Sequence, residues 1–511
     1  MKSDVQTLPT DVLALQQMVA KLQRELDAKD AKYQRLLEQF RLAQHQRFGA
    51  NGEAHPGQGE LFNEAEDIHH NEDTESDSDT TTVTYERKQA KRKPLPADLP
   101  RERIVHDIDD ADKACGCCGH DLHCIGEDVS EKLEFIPAQV KVIEHVRPKY
   151  ACKACEKDGT ANQIKQAPMP ATIIPKGYAT PSLLAQVITS KYQYGLPLHR
   201  QESMFKQYGI DMSRKTLSDW MVRCSDKLQM LYDRLKAIQL AQPVIHADET
   251  TVNVVSDDNV KSYMWVYATG ADSPKDKLVD SDIKPIVLFD YHNSRASKCA
   301  VAYLNGYQGY LQVDGYAGYH HTQATLVGCW AHARRKFHEA KIAQGKKPSG
   351  KADMALSTIQ KLYRIETQIK TLSISERYQQ RQDKALPIIN KFKDWLIKSE
   401  QQVLPKTKLG EAILYTLNQW YKLIAYTQNG QLNIDNNRAE RCIKPFVIGR
   451  KNWMFSQTAN GAHASAVLYS IIETAKANGL VPFDYLMQVL AKISQPDVDI
   501  DALLPWEITL G

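Results

Sequence analysis

Two short apolar runs that each close on an aspartate limit the folds open to this chain. The run PVIHAD ends at Asp248 and the run YLQVD ends at Asp314. Both runs have the pattern of a short β-strand. In an open sheet, the ends of the strands border a crevice in which a ligand can bind. The two carboxylates are therefore expected at strand ends that face such a crevice.

A third carboxylate, Glu440, lies in a segment with the pattern of a helix, and Asp435 is its expected N-cap. Two strand-end aspartates and a helical glutamate can hold a pair of divalent cations about 3.5–4 Å apart. One cation activates the attacking oxygen and the other stabilises the leaving oxygen, which suits cutting or joining of a phosphodiester. Glu249 and Glu473 are the rival carboxylates. The preferred set, expected to bind two Mg²⁺ ions, is Asp248, Asp314 and Glu440.

Four separate motifs follow one another along the chain: HADET, DGYAGY, CWAHARRKF and DNNRAERCIKPFVIGRKNWMF. At these residues the sequence resembles the insertion-sequence-66 family of bacterial DDE transposases, and the resemblance extends through almost the whole chain. It implies an RNase-H-like α/β catalytic domain, which the order of strands followed by helices also fits. It further implies an enzyme that cuts transposon ends and joins them to target DNA, together with possible accessory proteins from the same element.

Cys329 and His332 follow the fifth strand-like run, ATLVGCW. The resemblance implies that His332 is a catalytic residue aimed at the scissile phosphate, and a purely structural histidine is the alternative. Asn436 and Asn437 are expected to share a helix face with Glu440, and Pro445 is expected to end or kink that helix. The residues expected to bind DNA near the carboxylates are Arg334, Arg335, Lys336, Lys444, Arg450 and Lys451.

Length and composition restrict the class of protein. A chain of 511 residues is too long for one ordinary core and predicts about three domains. Hydrophobic residues make up 42% and charged residues 25%, and no run approaches the length of a membrane span, so no membrane partner is expected. The first residues lack the pattern of a signal peptide, which favours a cytoplasmic, nucleoid-associated protein with reduced cysteines. Because the net charge is only +3, DNA binding must come from local basic patches.

Residues 1–48 are predicted to form a coiled coil. Ten of the eleven heptad core positions between residues 5 and 40 are apolar, and Lys29 is the exception. A seam this regular predicts a homodimer or higher oligomer, because a narrow apolar stripe needs a partner helix. The alternative is an amphipathic helix that folds back on its own body. Residues 49–100 turn from acidic to basic and are expected to be a disordered linker.

Two C-x-x-C pairs lie 33 residues apart within the region 101–170. The segment between them has the pattern of a β-hairpin, which would bring the two pairs together. Tetrahedral zinc accepts four thiolates, so this region is predicted to be a small β module around a structural Zn²⁺ ion. Buried thiols without a metal are the alternative. The expected ligands are Cys115, Cys118, Cys152 and Cys155.

The remaining chain divides into helical and mixed regions. Residues 171–240 are predicted to be helical, and two of the helices have the outline of a helix-turn-helix that places Arg214 and Lys215 against DNA. An ordinary packing unit is the alternative. Residues 241–480 form the predicted catalytic domain, split by a helical insertion at about 338–430, and residues 481–511 form a C-terminal helix and tail. The rival functions are a nuclease that cuts without joining and an inactive DNA-binding protein.

Overall fold

The computed structural model describes residues 11–48, 101–104, 129–130, 132–133, 139–150, 164–257, 261–271, 274–276, 279, 281–345 and 350–508. Two units are present, one formed by residues 1–61 and 168–511 and the other by residues 62–167. Among the described residues, no helix combines the length and the apolar character that crossing a bilayer requires.

In the described part of the smaller unit, β1 (Lys149–Tyr150) pairs with β2 (Lys165–Gln166) as a short antiparallel ribbon. The guanidinium of Arg147 extends the ribbon by donating to the carbonyl oxygen of Ala167 at 3.0 Å. The hairpin predicted before the second cysteine pair is wrong in its described part, because residues 139–148 are not strands and β1 pairs with a segment beyond that pair. The four expected zinc ligands lie outside the described residues: Cys115, Cys118, Cys152 and Cys155.

The larger unit begins with a long helix, α1 (Val12–Phe48), which confirms a helix at the heptad repeat. Its C-terminal half contacts the body of this unit. Arg41 Nη1 donates to the carbonyl oxygen of Ala343 at 2.9 Å, and Glu38 accepts from the backbone N–H of Lys408 at 3.2 Å. Most heptad core positions remain exposed on α1: Val12, Val19, Leu22, Leu26, Tyr33, Leu36 and Phe40. Self-association through this stripe stays a prediction.

Three helices precede the sheet: α2 (Pro181–Tyr192), α3 (Leu198–Gln207) and α4 (Arg214–Leu240). Thr180 and Ser213 cap α2 and α4, and each side-chain oxygen accepts a backbone N–H from the first turn. The helix α4 continues to Leu240, the end of the region predicted to be helical. Its C-terminal turns pack against the sheet, so the helical region and the sheet share one hydrophobic core.

The central sheet has five strands, one at each of the five strand-like runs. They are β3 (Val244–Val252), β4 (Ser262–Thr269), β5 (Ile286–His292), β6 (Tyr310–Gln312) and β7 (Thr325–Val327). The spatial order is β5-β4-β3-β6-β7. The pairs β5–β4 and β4–β3 are antiparallel, whereas β3–β6 and β6–β7 are parallel. The sheet is therefore mixed, and β3 lies at its centre.

Helices cover the sheet and protect its edge. The helix α13 (Ala459–Ala477) packs on the edge strand β5, where the hydroxyls of Ser470 and Thr474 accept the backbone N–H groups of Phe289 and Val287 at 2.7 and 3.0 Å. These side chains occupy hydrogen-bonding groups that an edge strand would otherwise expose. The other helices around the sheet are α5 (Ser297–Tyr303), α12 (Asn437–Trp453) and α14 (Pro482–Lys492).

Helices also occupy most of the chain between Asp314 and Glu440. They are α6 (Trp330–Gln344), α7 (Lys351–Ile369), α8 (Ile374–Gln380), α9 (Leu386–Glu400), α10 (Lys408–Asn418) and α11 (Trp420–Ile424). They enclose a second hydrophobic core built around aromatic side chains. Its largest buried members include Trp330, Phe337, Phe392 and Trp420.

A buried ion pair crosses this second core. Arg381 is fully buried in a π-helical turn, and its guanidinium donates to both carboxylate oxygens of Glu366 at 2.9 and 2.7 Å. The same guanidinium donates to the carbonyl oxygens of Tyr426, Asn429 and Leu432 at 2.8–2.9 Å. The charge of Glu366 is thus matched, and the guanidinium satisfies three carbonyl groups of the loop that leads back toward the sheet.

Candidate active site

Asp248 and Asp314 stand on neighbouring parallel strands. The pairing of β3 with β6 ends where His246 lies opposite Gln312, and each aspartate follows two residues later. Because side chains alternate along a strand, this shared offset places both carboxylates on one face of the sheet. The expectation that Asp248 ends its strand is wrong, because β4 continues to pair with β3 as far as Val252.

Asp314 begins the loop that follows β6. Its Oδ1 accepts the backbone N–H of Tyr316 at 2.8 Å, the local bond of an Asx turn. Gly315 permits a close approach from the neighbouring helices, because a Cβ there would lie only 2.9 Å from the hydroxyl of Tyr415. This turn holds the Asp314 side chain beside the end of the parallel strands.

Glu440 lies in the first turn of α12, and Asn436 fastens that turn to β3. The Asn436 amide donates to the carbonyl oxygen of Ala247 at 2.8 Å, and its oxygen lies 3.1 Å from Nδ1 of His246. Ala247 directly precedes Asp248 in the chain. Asn436 therefore joins the helix of one carboxylate to the strand of another.

The structure bears out the expectations for this helix only in part. Asn436 rather than Asp435 occupies the N-cap position, but its side chain makes no cap bond, and Asp435 accepts the backbone N–H of Asn437, the first helical residue, at 3.2 Å. Pro445 does not end the helix, which continues to Trp453, and a kink at the proline stays a prediction. Tertiary packing explains this continuation, because buried residues on both sides of the proline hold α12 against the core.

The electrostatics of Asp248 show a strong excess of negative charge. Burial of its side chain, together with the charges of Glu249, Asp314 and Glu440, raises the pKa of Asp248 well above its usual value. A backbone N–H of Glu249 donates to Asp248 at 2.9 Å and lowers this pKa only in part. The side-chain charges with the largest effect on this pKa are all acidic. Such a set of oxygen donors fits a divalent cation, which would supply the missing positive charge.

Each of the two rival carboxylates, Glu249 and Glu473, forms an ion pair with a basic side chain. Glu249 is almost completely buried, accepts from the guanidinium of Arg295 at 2.9 Å and accepts from the hydroxyl of Tyr319 at 2.7 Å. It adjoins Asp248 in the strand and so points to the opposite face of the sheet. Lys476 Nζ donates to both carboxylate oxygens of Glu473 at 2.9 Å. Both rivals therefore have charges that are matched within the protein.

His332 lies beside Glu440, with its Nδ1 atom 3.8 Å from Oε1 of the glutamate. Both atoms are buried and neither has a hydrogen-bond partner. Burial lowers the pKa of His332 although the Glu440 charge acts in the opposite direction. Cys329 completes a group of three side chains whose potential ligand atoms all lie within 4.8 Å of one another.

The predicted DNA-binding residues occupy several different surfaces. Arg334, Arg335 and Lys336 follow His332 on α6, and the charges of Arg335 and Lys336 also lower the pKa of that histidine. Lys444 is partly exposed one turn beyond Glu440. Arg450 and Lys451 lie near the C-terminal end of α12. Arg214 and Lys215 lie at the N-terminal end of α4.

Two of these distant positions differ in their contacts. Arg450 Nη1 donates to the hydroxyl of Thr250 at 2.9 Å, so this guanidinium ties α12 to β3. Arg214 lies at the opposite end of α4 from Gln239, whose amide donates to the carbonyl oxygen of Tyr267 in the sheet at 2.9 Å. With a rise of about 1.5 Å per residue, roughly 37 Å of helix separates Arg214 from that contact.

Sequence reasoning missed side chains that the helices between Asp314 and Glu440 bring to the site. Lys422 bonds to His320 and donates to Gln419 Oε1 at 2.9 Å. Burial lowers the pKa of Lys422, and the charge of Asp314 opposes that shift. Tyr415 adjoins the loop after Asp314. No local pattern marks these two residues, because more than 100 positions separate them from Asp314 in the chain.

Comparison with known proteins covers both units. Residues 176–464 match the family described as Transposase IS66 family, and residues 470–506 match the IS66 C-terminal element. Residues 112–156 match the zinc-finger binding domain of transposase IS66, which supports a structural Zn²⁺ ion in that region. Residues 35–104 match the family described as Transposase C of IS166 homeodomain.

Proteins similar to most of this chain occur in Sinorhizobium fredii. The chain is 35% identical to the protein named y4jD over 428 residues, which are 81% of each chain. It is 33% identical to the protein named y4hP over 518 residues, covering 97% of this chain and 89% of the relative. Both relatives bear the name "uncharacterized protein". They show how much of the chain is similar, and their names say nothing about an activity.

Proposed function

The chain belongs to the Transposase IS66 family, and from this premise we propose that it cuts DNA at transposon ends and joins the freed ends to target DNA. The observation that carries the proposal is the placement of Asp248 and Asp314 after the paired ends of two neighbouring parallel strands, with Glu440 on the helix that Asn436 joins to β3. Burial and the charges of nearby acidic groups, Asp314 and Glu440 among them, raise the pKa of Asp248. The strand order, with three antiparallel strands followed by two parallel ones, supports an RNase-H-like catalytic domain.

The three carboxylates are the proposed ligands of two Mg²⁺ ions. Oxygen donors with unmatched negative charge are what Mg²⁺ requires. When bound, such a metal pair supplies an activated oxygen nucleophile and stabilises the leaving oxygen. The protein contributes the positions of the ligands: the register of β3 and β6 fixes the two aspartates, and Asn436 fixes the helix of Glu440.

Basic side chains around the carboxylates are proposed to hold the DNA backbone. Arg334, Arg335 and Lys336 project from α6 next to His332, and Lys444 follows Glu440 on α12. Arginine and lysine contacts to phosphate position a duplex without reading its sequence. His332 is proposed to act at the scissile phosphate, as a neutral imidazole, because burial lowers its pKa.

Other modules complete the proposed assembly. Cys115, Cys118, Cys152 and Cys155 are the proposed ligands of the structural Zn²⁺ ion in the zinc-finger region. Arg214 and Lys215 are proposed to contact DNA at the start of α4. The exposed stripe on α1 is proposed to pair protomers, so that two transposon ends are handled together. Accessory proteins from the same element are further proposed partners.

Cleavage and joining of a labelled duplex that carries the ends of the element would test the proposed activity. We expect Mg²⁺-dependent cutting and joined products from the wild-type protein. Asp248→Asn, Asp314→Asn and Glu440→Gln should each reduce cutting by more than the about 10–100-fold that follows loss of an outer-shell partner. Glu473→Gln is the matched control, because Glu473 is paired with Lys476 and should be dispensable.

Three other results would change the proposal. Cutting without joined product would favour a nuclease over a transposase. Wild-type protein that binds the ends but never cuts them would favour a DNA-binding role or a missing accessory protein. Normal cutting by Glu440→Gln would remove Glu440 from the ligand set. Stabilisation of the protein by Mg²⁺, measured as a rise in the thermal midpoint that Asp248→Asn abolishes, would test the metal site without DNA.

A further inference from the structure

We propose that Cys329, His332 and Glu440 form a separate site for a thiophilic divalent cation such as Zn²⁺, and that this ion competes with Mg²⁺ for Glu440. Two helices supply the ligands. Cys329 and His332 come from the N-terminal end of α6, and Glu440 comes from the first turn of α12. All three potential ligand atoms lie within 4.8 Å of one another, so modest side-chain rotations would close them onto one ion.

The distance between His332 and Glu440 is the first support for this site. Their atoms Nδ1 and Oε1 lie 3.8 Å apart, which is too long for a hydrogen bond. Both atoms are buried without a hydrogen-bond partner, and such orphaned polar atoms are costly in a folded protein. In tetrahedral geometry, two ligand atoms at about 2.0–2.2 Å from zinc lie about 3.3–3.6 Å apart, so a small side-chain rotation would bring this pair to the required separation. One ion between the two atoms would therefore satisfy both.

The chemistry of the donors is the second support. The imidazole of His332 binds metals in its neutral form, which burial favours here. The sulfur of Cys329 accepts the backbone N–H of Asn436 at 3.3 Å, the kind of outer contact that orients a metal ligand. Burial raises the pKa of the Cys329 thiol, so metal binding would release its proton to solvent. Sulfur and nitrogen donors select zinc over magnesium.

Occupation of this site would withdraw a carboxylate from the catalytic centre. Glu440 is shared between the two proposed sites, and we propose that the ion between Cys329 and His332 turns its carboxylate away from the two aspartates. Zinc would therefore inhibit Mg²⁺-dependent cutting by competing for Glu440 rather than by binding DNA. This consequence rests on the proposed function, whereas zinc binding itself does not.

Zinc counting on the full-length protein tests the site directly. The protein is stripped of metal, reloaded with Zn²⁺, desalted and analysed by atomic emission. We expect one fewer zinc per chain in Cys329→Ser and in His332→Asn than in the wild-type protein. Ser can still accept the Asn436 N–H, which favours folding of the first variant. Equal zinc contents in wild type and variants would overturn the proposal.

Two control variants separate this site from general effects of cysteine or histidine loss. Cys224→Ser removes a buried cysteine on α4, and His338→Asn removes a histidine that lies on α6 outside the three-residue group. Both should retain the wild-type zinc content. Reloading with Co²⁺ gives an optical check, because the Cys329→Ser variant should lose the part of the thiolate-to-cobalt absorption that this site contributes.

Inhibition of cutting tests the competition. Each protein is assayed at fixed Mg²⁺ with increasing Zn²⁺, and its rate is expressed relative to its own rate without zinc. The inhibition constant should rise at least about tenfold in Cys329→Ser, as expected when one ligand is lost. An unchanged constant would overturn the competition. If the wild-type protein never cuts DNA, the proposed function fails, and the zinc content per chain alone then tests the proposed metal site.

Discussion

Two buried charged clusters in this protein differ in how their charges are matched. Between Asp314 and Glu440, the guanidinium of Arg381 meets the carboxylate of Glu366 and three carbonyl oxygens. At the centre of the sheet, burial and the charges of neighbouring acidic groups raise the pKa of Asp248. In the first cluster Arg381 holds the Glu366 carboxylate, and a second buried guanidinium, that of Arg377, lies 3.7 Å from the same group. In the second cluster we propose that a bound metal ion supplies the positive charge that the acidic groups require.

The largest expected effect comes from breaking the matched cluster. Arg381→Met should lower the free energy of unfolding by about 3–5 kcal/mol, because it leaves three carbonyl groups without their donor and leaves Glu366 only the more distant guanidinium of Arg377 at 3.7 Å. Urea unfolding followed by tryptophan fluorescence measures this loss, since Trp330, Trp395 and Trp420 all lie near that core.

Two further variants show whether charge matching is the cause. Arg364→Met removes an exposed arginine from α7 and should change stability little. The double variant Arg381→Met/Glu366→Gln should recover none of the loss, because it leaves the buried guanidinium of Arg377 without the carboxylate that lies 3.7 Å away. A double variant more stable than Arg381→Met would contradict the explanation.

A smaller effect is expected at the junction between β3 and α12. Asn436→Ala removes the bonds to Ala247 and His246 and should cost about 1–3 kcal/mol of stability. It should also raise the Mg²⁺ concentration needed for cutting by about 10–100-fold, because Glu440 loses its positioning. Asn452→Ala, at the exposed end of the same helix, is the control. A stability loss without a shifted Mg²⁺ requirement would show that Asn436 only supports the fold.

Loss of the Asp248 charge should raise the stability of the protein, whereas loss of the Arg381 charge should lower it. Asp248→Asn keeps the shape of the side chain and should raise the thermal midpoint in buffer without divalent cations, by roughly 2–4 °C if the gain is about 1 kcal/mol. At acid pH the carboxyl is protonated in both the folded and unfolded wild-type protein, so the two proteins should be equally stable. The advantage of the variant should grow as pH rises through the raised pKa of Asp248.

The smallest effect is expected from a pair that water can reach. Lys341 Nζ lies 2.9 Å from Asp353, and both side chains are partly exposed. Lys341→Ala should therefore cost no more than about 0.5 kcal/mol, and salt should reduce that cost. The backbone N–H of Gly350 and Lys341 both hold the pKa of Asp353 below its usual value. The small cost should disappear as pH falls through that lowered pKa. Unfolding at two salt concentrations measures both effects.

Local patterns predicted much of the sheet and of its helices. All five strand-like runs are strands, and the helix N-terminus at Ser213 lies where its capping residue indicated. The family was identified from four motifs, and the comparisons confirm it. These features depend on residues close together in the chain, such as an apolar run or a capping serine, so their patterns are visible in the sequence.

Other features depend on partners that local patterns do not contain. Asp248 lies inside its strand because β4 extends the pairing, and α12 passes Pro445 because its flanks are buried. Asn436, Tyr415 and Lys422 acquire their roles through contacts with distant segments. The proposed ligand roles of Asp248, Asp314 and Glu440 stay predictions until metal binding is measured.

The separation of Asp314 from Glu440 has a consequence for synthesis of the protein. In the chain, 125 residues lie between them, and α12 follows the whole helical segment. At about 5–20 residues per second, the ribosome adds Glu440 roughly 6–25 s after Asp314. During that interval the nascent chain holds both aspartates but lacks the third carboxylate. An interrupted translation product that ends within the helical segment would therefore lack one of the three proposed metal ligands.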